Sequence, residues 1–409
     1  MVLAVSAFTV AMVLFAPVAG WMSERYGAKR FLMWSMALMV AAQIGASLTP
    51  NLEVLVATRT LQGVACSAIP PSVQRTLAVF WPHERGRVMA AWASAIGAGQ
   101  AVGPPLGGLI TETVGWRGIF VFHAALSVCL VVVLRRYVPA VVAGRPPLDA
   151  SGMTALVAGV GSLVLAGTLA GQRVPLALEA GLVGLGLALL VLYAVLSRHN
   201  PDALLTPDML SDVRYVRSTA AAATAMATMG VVLVSVSLFL GGPLGLRPGA
   251  IGLITFTLAG AMTLFAPMSP WLAQRWTSCA VLRGGLVMLV AGPLLLAAVS
   301  TVLSGGWRLA SITACLVLVG CGIAATQSTA GFALMRSSAA AHGGALGVHN
   351  MMRFTGLAVG YAWVAVTYPY GSLYLVHAGP VLLATATLVL TVVGPPAPPL
   401  EEDRVANRR

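Results

Sequence analysis

The chain has 409 residues, 58% of them hydrophobic and 9% charged, where an ordinary soluble domain is about a quarter charged and under half apolar. That balance excludes a soluble enzyme, a coiled coil, a disordered regulator and a disulfide scaffold. At roughly 20 apolar residues per bilayer crossing, it leaves room for a dozen or so spans. The formal charge of +12 comes from 24 basic residues set in small groups between apolar runs. Lipid topology produces that pattern, whereas nucleic acid would need a continuous basic face, so no nucleic-acid partner is expected.

Thirteen apolar segments follow in chain order: 2–22, 31–49, 54–79, 88–111, 118–134, 151–171, 176–196, 216–241, 249–271, 280–302, 309–334, 345–367 and 374–394. They are predicted as helices, because the ten-residue alternation of a barrel is absent and lipid leaves the backbone no other way to satisfy itself. Eighteen basic residues, from Arg25, Lys29 and Arg30 to Arg404, Arg408 and Arg409, fall on one set of connections. Arg117, Arg173, Arg247 and Arg308 fall on the other, and Arg59 and Arg353 lie within spans. The positive-inside rule then places the first set, and the C-terminus with it, in the cytoplasm. Residue 1 falls outside, and the chain starts directly in a span. Four regions are expected: 1–134, a five-span bundle; 135–215, cytoplasmic connections around a hydrophobic pair at 151–196; 216–394, a six-span bundle; and 395–409, a cytoplasmic tail. That is one span short of six-two-six.

The first basic loop reads GWMSERYGAKR from Gly20 to Arg30, a tight turn in which Gly20 and Gly27 allow the bend and Glu24 stands beside Arg25, Lys29 and Arg30. On residues alone, a topogenic loop accounts for it. In the third segment Arg59, Gln62, Gly63 and Cys66 share a helical face. An arginine inside a span costs at least about 2.5 kcal/mol on insertion scales, so Arg59 either faces a cavity or partner or reaches back to the interface. In the fourth segment Ala91, Ala95, Gly99, Gly103 and Gly107 lie four apart. This small-residue stripe is expected to let another helix approach closely. In the twelfth, His349, Asn350 and Arg353 share a face; a cavity-lining polar cluster and interhelical hydrogen bonding are both open readings. The five cysteines have no metal spacing and read as small buried hydrophobes. The six histidines are too scattered for a metal or enzyme centre, so neither metal nor catalytic residue is expected.

These segments together resemble the major facilitator superfamily, and within it the fourteen-span drug:proton antiporters without their first helix. The loop matches at Gly20, Glu24, Arg25, Gly27 and Lys29, with Glu24 where the family usually has Asp and Ala28 where it often has Arg. Arg59 with Gln62 and Gly63 resembles the family's fourth-helix motif, and Gly99, Gly103, Pro104, Gly107 and Gly108 its fifth-helix antiporter motif; Trp116, Arg117, Ile119 and Phe120 are also typical. The resemblance implies an all-α polytopic membrane protein with the major facilitator fold and 13 transmembrane helices, 14 minus the first. It implies a multidrug-efflux antiporter of a bacterial inner membrane, not an enzyme, which exports lipophilic or cationic drugs and natural products and thereby gives antibiotic resistance. The proton gradient would drive it in place of any cofactor, and the protein would be a monomer among lipids. Arg59 and Gln62 would assist proton coupling, the loop would latch the cytoplasmic face, and the antiporter helix would seal the cavity. The alternative is a truncated, transport-defective or regulatory homologue, since none of the twelve acidic residues lies deep in a segment.

Overall fold

The computed structural model describes residues 2–170, 174–198 and 200–393, without the side chains at 2–6, 104, 105, 339 and 341. The expected tail at 395–409, Arg173 and His199 lie outside the described residues, as does the side chain of Pro104. The described part is helical. Its first bundle contains α1 (Val2–Tyr26), α2 (Ala28–Ser47), α3 (Leu52–Ser67), α4 (Ile69–Phe80), α5 (Arg85–Val114) and α6 (Trp116–Tyr137). A pair follows, α7 (Ala150–Leu169) and α8 (Leu176–Ser197), then the short α9 (Pro207–Ser211). The second bundle contains α10 (Val213–Gly241), α11 (Pro248–Phe265), α12 (Met268–Arg275), α13 (Ser278–Val302), α14 (Gly305–Met335), α15 (Gly343–Thr367) and α16 (Leu373–Val393).

Local chemistry sets the boundaries. Gly27 and Gly115 have φ of 85° and 83°, a region that side chains with a Cβ rarely enter, and each reverses the chain between two helices in one residue. The side chains of Asn51, Asp149, Asp212 and Thr277 accept backbone N–H groups in the first turns of α3, α7, α10 and α13, replacing hydrogen bonds that a helix start cannot make internally. Two segments expected as single spans are interrupted. The 54–79 run breaks at Ala68, just before Pro70 and Pro71 in the first turn of α4, and the 249–271 run breaks at Ala266–Pro267. Proline fits the first turn of a helix, where its missing N–H would have no partner anyway, which accounts for both breaks, although Pro17, Pro293 and Pro380 are accommodated inside α1, α13 and α16.

Ten helical stretches among the described residues are long and apolar enough to cross a bilayer. Three further expected spans lie on α2, α5 and α15, helices of 20, 30 and 25 residues. In the first bundle α1 packs on α3, and α2 on α3 and α6; in the second α10 packs on α15, α14 and α16, and α13 on α14 and α16. One apolar core fills the second bundle around Val232, Leu258, Leu289, Leu316 and Ile323. A second cluster straddles both bundles, with Met12, Val13 and Ala16 of α1 against Leu346 and Met351 of α15 and Met153 and Leu156 of α7, and smaller clusters complete the packing. Leucines and valines along α8, such as Leu185, Leu187, Val191 and Val195, face outward, as a lipid solvent permits. Cys315 is buried, but Cys129 and Cys279 are exposed, which corrects their reading as buried hydrophobes.

Hydrogen bonds at the helix ends respect the charge division read from the sequence. Lys29 donates to the Arg135 carbonyl (3.0 Å) and Arg85 to that of Met335 (2.8 Å), joining groups of the basic end. Arg117 donates to the Thr49 carbonyl (2.9 Å) and Arg308 to that of Leu303, joining groups of the opposite end.

Candidate functional site

The bundles are clasped at the basic end. Gly20 is not part of the turn that the loop pattern suggested; it lies within α1, and α15 crosses it. A Cβ there would overlap the Gly343 carbonyl oxygen and stand 2.7 Å from Gly347 Cα, and one at Gly347 would stand 2.8 Å from Pro17 Cα. Such backbone-to-backbone approach is what small residues allow between helices in lipid. One turn on, Glu24 is half-buried; its Oε2 accepts the Gly343 N–H at 2.5 Å and lies 3.6 Å from Arg75 Nη1. The carboxylate thus meets the N-terminus of α15, where the helix dipole favours negative charge, and a guanidinium from α4. The 138–149 connection straps over this clasp: Gly144 donates to the Glu24 carbonyl (2.8 Å) and Trp21 Nε1 to that of Pro147 (3.0 Å). Gly27 is buried against Val141, and Arg25 is exposed.

Further along, α5 meets α11, where Ser94 donates to the Thr263 carbonyl (3.1 Å) and a Cβ at Gly97 would fall 2.9 Å from Thr263 N. Beyond that point the bundles part. A cavity of 970 Å³ separates the last turns of α5 from α10 and α11, lined by Gly108, Leu109 and Glu112 on one side and Leu233, Ser237, Ile251 and Phe256 on the other. Its wall is mostly apolar, with Glu112 its acidic group.

Arg59 stands two turns into α3, half-buried. Its Nη1 donates to Gln62 Oε1 (2.8 Å), and its guanidinium lies 4.6 Å from the centre of the Phe8 ring on α1. Gln62 is buried and donates to the Ala42 carbonyl of α2 (3.3 Å). A Cβ at Gly63 would overlap the Phe8 carbonyl, so this face of α3 is pressed on α1.

Two site readings change. The stripe on α5 makes no close contact: Ala91, Ala95, Gly99, Gly103 and Gly108 are exposed, Gly107 is half-buried, and a Cβ at any of Gly99, Gly103, Gly107 or Gly108 meets open space. The packed face is the one two residues round, through Met89, Ala93, Gly97 and Ala101. Two residues turn a helix by about 200°, so the stripe looks away from α11. The close glycine contacts expected of α5 occur on α15, where Gly356 and Gly360 meet the backbone at Ala223 and Ala227 of α10. Accordingly, Gly97→Leu is expected to destabilise the fold by at least about 1–3 kcal/mol through overpacking, while Gly103→Leu changes stability by no more than about 0.5 kcal/mol. Thermal melts in detergent compare the two, and equal losses would refute the assignment of faces.

His349, Asn350 and Arg353 are buried at 2%, 0% and 3% exposure, so the cavity-lining reading gives way to interhelical bonding. His349 Nδ1 pairs with the Thr219 hydroxyl of α10 (2.9 Å), and Asn350 Nδ2 donates to Gln74 Oε1 of α4 (2.8 Å), crossing from one bundle to the other. Arg353 Nη1 donates to Asn350 Oδ1 (3.4 Å). Gln74, Thr219, Arg75 and the backbone of Gly343 were not singled out from the sequence. Nothing in a single chain's pattern marks a glutamine on α4 as the partner of an asparagine 276 residues later.

The comparisons with known proteins agree with this geometry. Residues 2–153 match the family model described as Major Facilitator Superfamily. The fold is similar to that of the human organic anion transporter MFSD10 (TETRAN), at a TM-score of 0.69, 17% identity and coverage of 95% of this chain and 83% of that one. Over residues 2–153 the chain is similar to the major facilitator superfamily, and the fold of the whole is of the same kind. It is also 24% identical to the multidrug resistance protein Stp of Mycobacterium tuberculosis over 364 residues, 88% of this chain and 67% of Stp. To the multidrug export protein EmrB of Haemophilus influenzae it is 30% identical over 164 residues, 39% of this chain and 32% of EmrB. The chain thus spans between a third and two thirds of the length of these relatives. Its ten apolar stretches among the described residues and its likeness to these transporters mark it as a multi-pass membrane protein.

Proposed function

We propose that this protein exports lipophilic or cationic small molecules by proton-coupled alternating access, as a monomer in a bacterial inner membrane. The observation that carries the reading is the paired geometry of the interface. The bundles are clasped through Gly20, Glu24, Gly343 and Arg75 at one end and stand apart around a largely apolar cavity at the other. Rocking of two bundles about such an interface moves a bound molecule across the bilayer without chemistry. The basic end is cytoplasmic by the positive-inside rule, and α2, α5 and α15 cross with the ten more apolar stretches, giving thirteen crossings. The state described is then outward-open. Its apolar wall suits lipophilic molecules, and Glu112 attracts cations at the mouth. The relatives' names, multidrug resistance and multidrug export, support the same substrate class.

Arg59 and Gln62 are assigned to proton coupling, because a cation held in a span by a glutamine and an aromatic ring responds to charge entering the adjacent space. The test is efflux of a fluorescent lipophilic cation from everted vesicles energised by a proton gradient. The full chain is expected to drive accumulation that collapses when the gradient is dissipated. Arg59→Ala is expected to abolish accumulation with unchanged membrane insertion; unaffected accumulation would remove Arg59 from coupling. One observation favours a second reading, a clasped but non-transporting regulatory homologue: every acidic residue among the described ones sits at a helix end or in a connection. That reading expects no gradient-driven accumulation by the unaltered chain at all.

A further inference from the structure

A proton-coupled cycle needs a group that gains and loses a proton inside the bundle. Arg59 does not serve, because a guanidinium keeps its proton, and every carboxylate among the described residues lies at a helix end or in a connection. Among those residues, the groups that lie inside long helices and ionise near neutral pH are three histidines. They are His123 of α6, His349 of α15 and His377 of α16.

Two of the three are confined to one bundle. His123 Nδ1 pairs with Gln43 Nε2 of α2 (3.3 Å). His377 is buried near the start of α16 with no partner at Nδ1, and α16 packs on α10, α13 and α15 of its own bundle. His349 stands where the bundles are joined. Its Nδ1 pairs with the Thr219 hydroxyl of α10, and the next residue, Asn350, donates to Gln74 of α4 in the other bundle. One turn on, Arg353 donates to the same Asn350, and its Nε has no partner.

The surroundings supply His349 with no anion of its own. From α10 comes the Tyr215 phenol, which donates to the Ala345 carbonyl (2.9 Å). From α4 and α1 come Arg75 and Glu24, 3.6 Å apart, with Glu24 also holding the Gly343 N–H at the start of α15. His342, just before that start, is exposed. Neither α7 nor the 338–341 turn carries an ionisable side chain. Tyr368, Tyr370, Tyr374 and His377 gather where α15 ends and α16 begins. Arg353 is therefore the charge that acts on His349.

A proton on this imidazole makes both ring nitrogens donors and sets a second positive charge one turn before Arg353, a spacing at which like charges repel. Away from water that repulsion is strong. It falls on Asn350, the residue between them that crosses to Gln74, and parting of the bundles at the basic end relieves it by admitting water. We propose that His349 is the proton-binding group of the cycle. Neutral, it leaves Asn350 and Gln74 to hold the basic end closed; protonated, it drives that end open. On the export reading above, on which this assignment rests, the direction fits. A proton taken from outside moves the carrier to the state in which the next molecule binds from the cytoplasm.

The test compares the full chain with His349→Gln, which keeps a hydrogen-bonding group beside Thr219 and cannot take a proton near neutral pH. Backbone hydrogen exchange over 70–78 and 343–353, read by mass spectrometry and corrected for the chemical rate, reports opening of the basic end. The unaltered chain is expected to open about tenfold more at about pH 5 than at about pH 8, and His349→Gln to show no such rise. Matching exchange at the higher pH is the control for folding. An equal rise in the variant overturns the proposal and assigns the response to the Glu24 carboxylate. A flat profile in the unaltered chain overturns it without any variant, so a misfolded His349→Gln does not remove the test. In proteoliposomes, accumulation of ethidium driven by a pH gradient is expected of the unaltered chain and is expected to be lost in His349→Gln. Equal accumulation by both overturns the proton site and leaves the export reading intact. Accumulation by neither overturns the export reading, and the proton role with it.

Discussion

Replacing Gly20 with valine is expected to abolish transport while leaving the protein in the membrane. The position has no room for even one added carbon: a Cβ would overlap the Gly343 carbonyl, with Gly347 Cα and N within 2.8 Å. Every obstructing atom is backbone, so no rotamer change relieves the clash, and α1 and α15 must separate. Overpacking of this kind costs about 1–3 kcal/mol. Separation also removes the Glu24 bond to the Gly343 N–H, and a hydrogen bond to a charged group is worth about 1.5–3 kcal/mol. Both losses fall on the state in which the basic end is closed. A loss of about 3–5 kcal/mol moves a two-state equilibrium by two decades or more, and a carrier confined to one state does not turn over. Gly343→Val is expected to act alike from the other side of the contact, while Gly103→Val, at an open position, is expected to transport normally. Drug accumulation in cells, normalised to membrane-extracted protein, gives the comparison. Normal transport by Gly20→Val would show that the clasp is not part of the cycle.

The contrast among these glycines shows what a sequence reveals of such a fold. The spans were legible because lipid imposes composition directly, and the end carrying each loop was legible from its arginines. The four-residue spacing of Gly99, Gly103 and Gly107 was visible too, but a periodic stripe states only that residues share a face. It does not say what lies opposite. On α5 that face meets open space, whereas Gly356 and Gly360 of α15 meet the backbone of α10. Likewise, Glu24 among Arg25, Lys29 and Arg30 suggested a local charge latch. Its partners are instead Arg75 and the N–H of a residue 319 positions away. Proximity across the chain is the quantity that periodicity omits.

Asn350→Leu is expected to cause the largest loss of stability among substitutions in the buried network. Asn350 is fully buried; its amide nitrogen donates to Gln74 Oε1 and to the Leu346 carbonyl, and its oxygen accepts from Arg353. Leucine fills similar space and offers none of these bonds. Neutral interhelical hydrogen bonds in a membrane average only about 0.6 kcal/mol, so losing the Gln74 contact would be a minor event by itself. The charge decides the outcome. Arg353 is 3% exposed, and its Nε already has no partner; taking away the oxygen at Nη1 leaves a buried cation with still fewer ligands. Stranding a buried charge costs about 3–5 kcal/mol, a large share of the total stability of a folded domain. A double-mutant cycle separates the two effects. If the stranded charge dominates, adding Arg353→Leu to Asn350→Leu restores much of the lost melting temperature, because no cation is left to solvate. If the two losses simply add, the network is worth no more than its neutral hydrogen bonds, and its position across the bundle interface carries no special energetic weight.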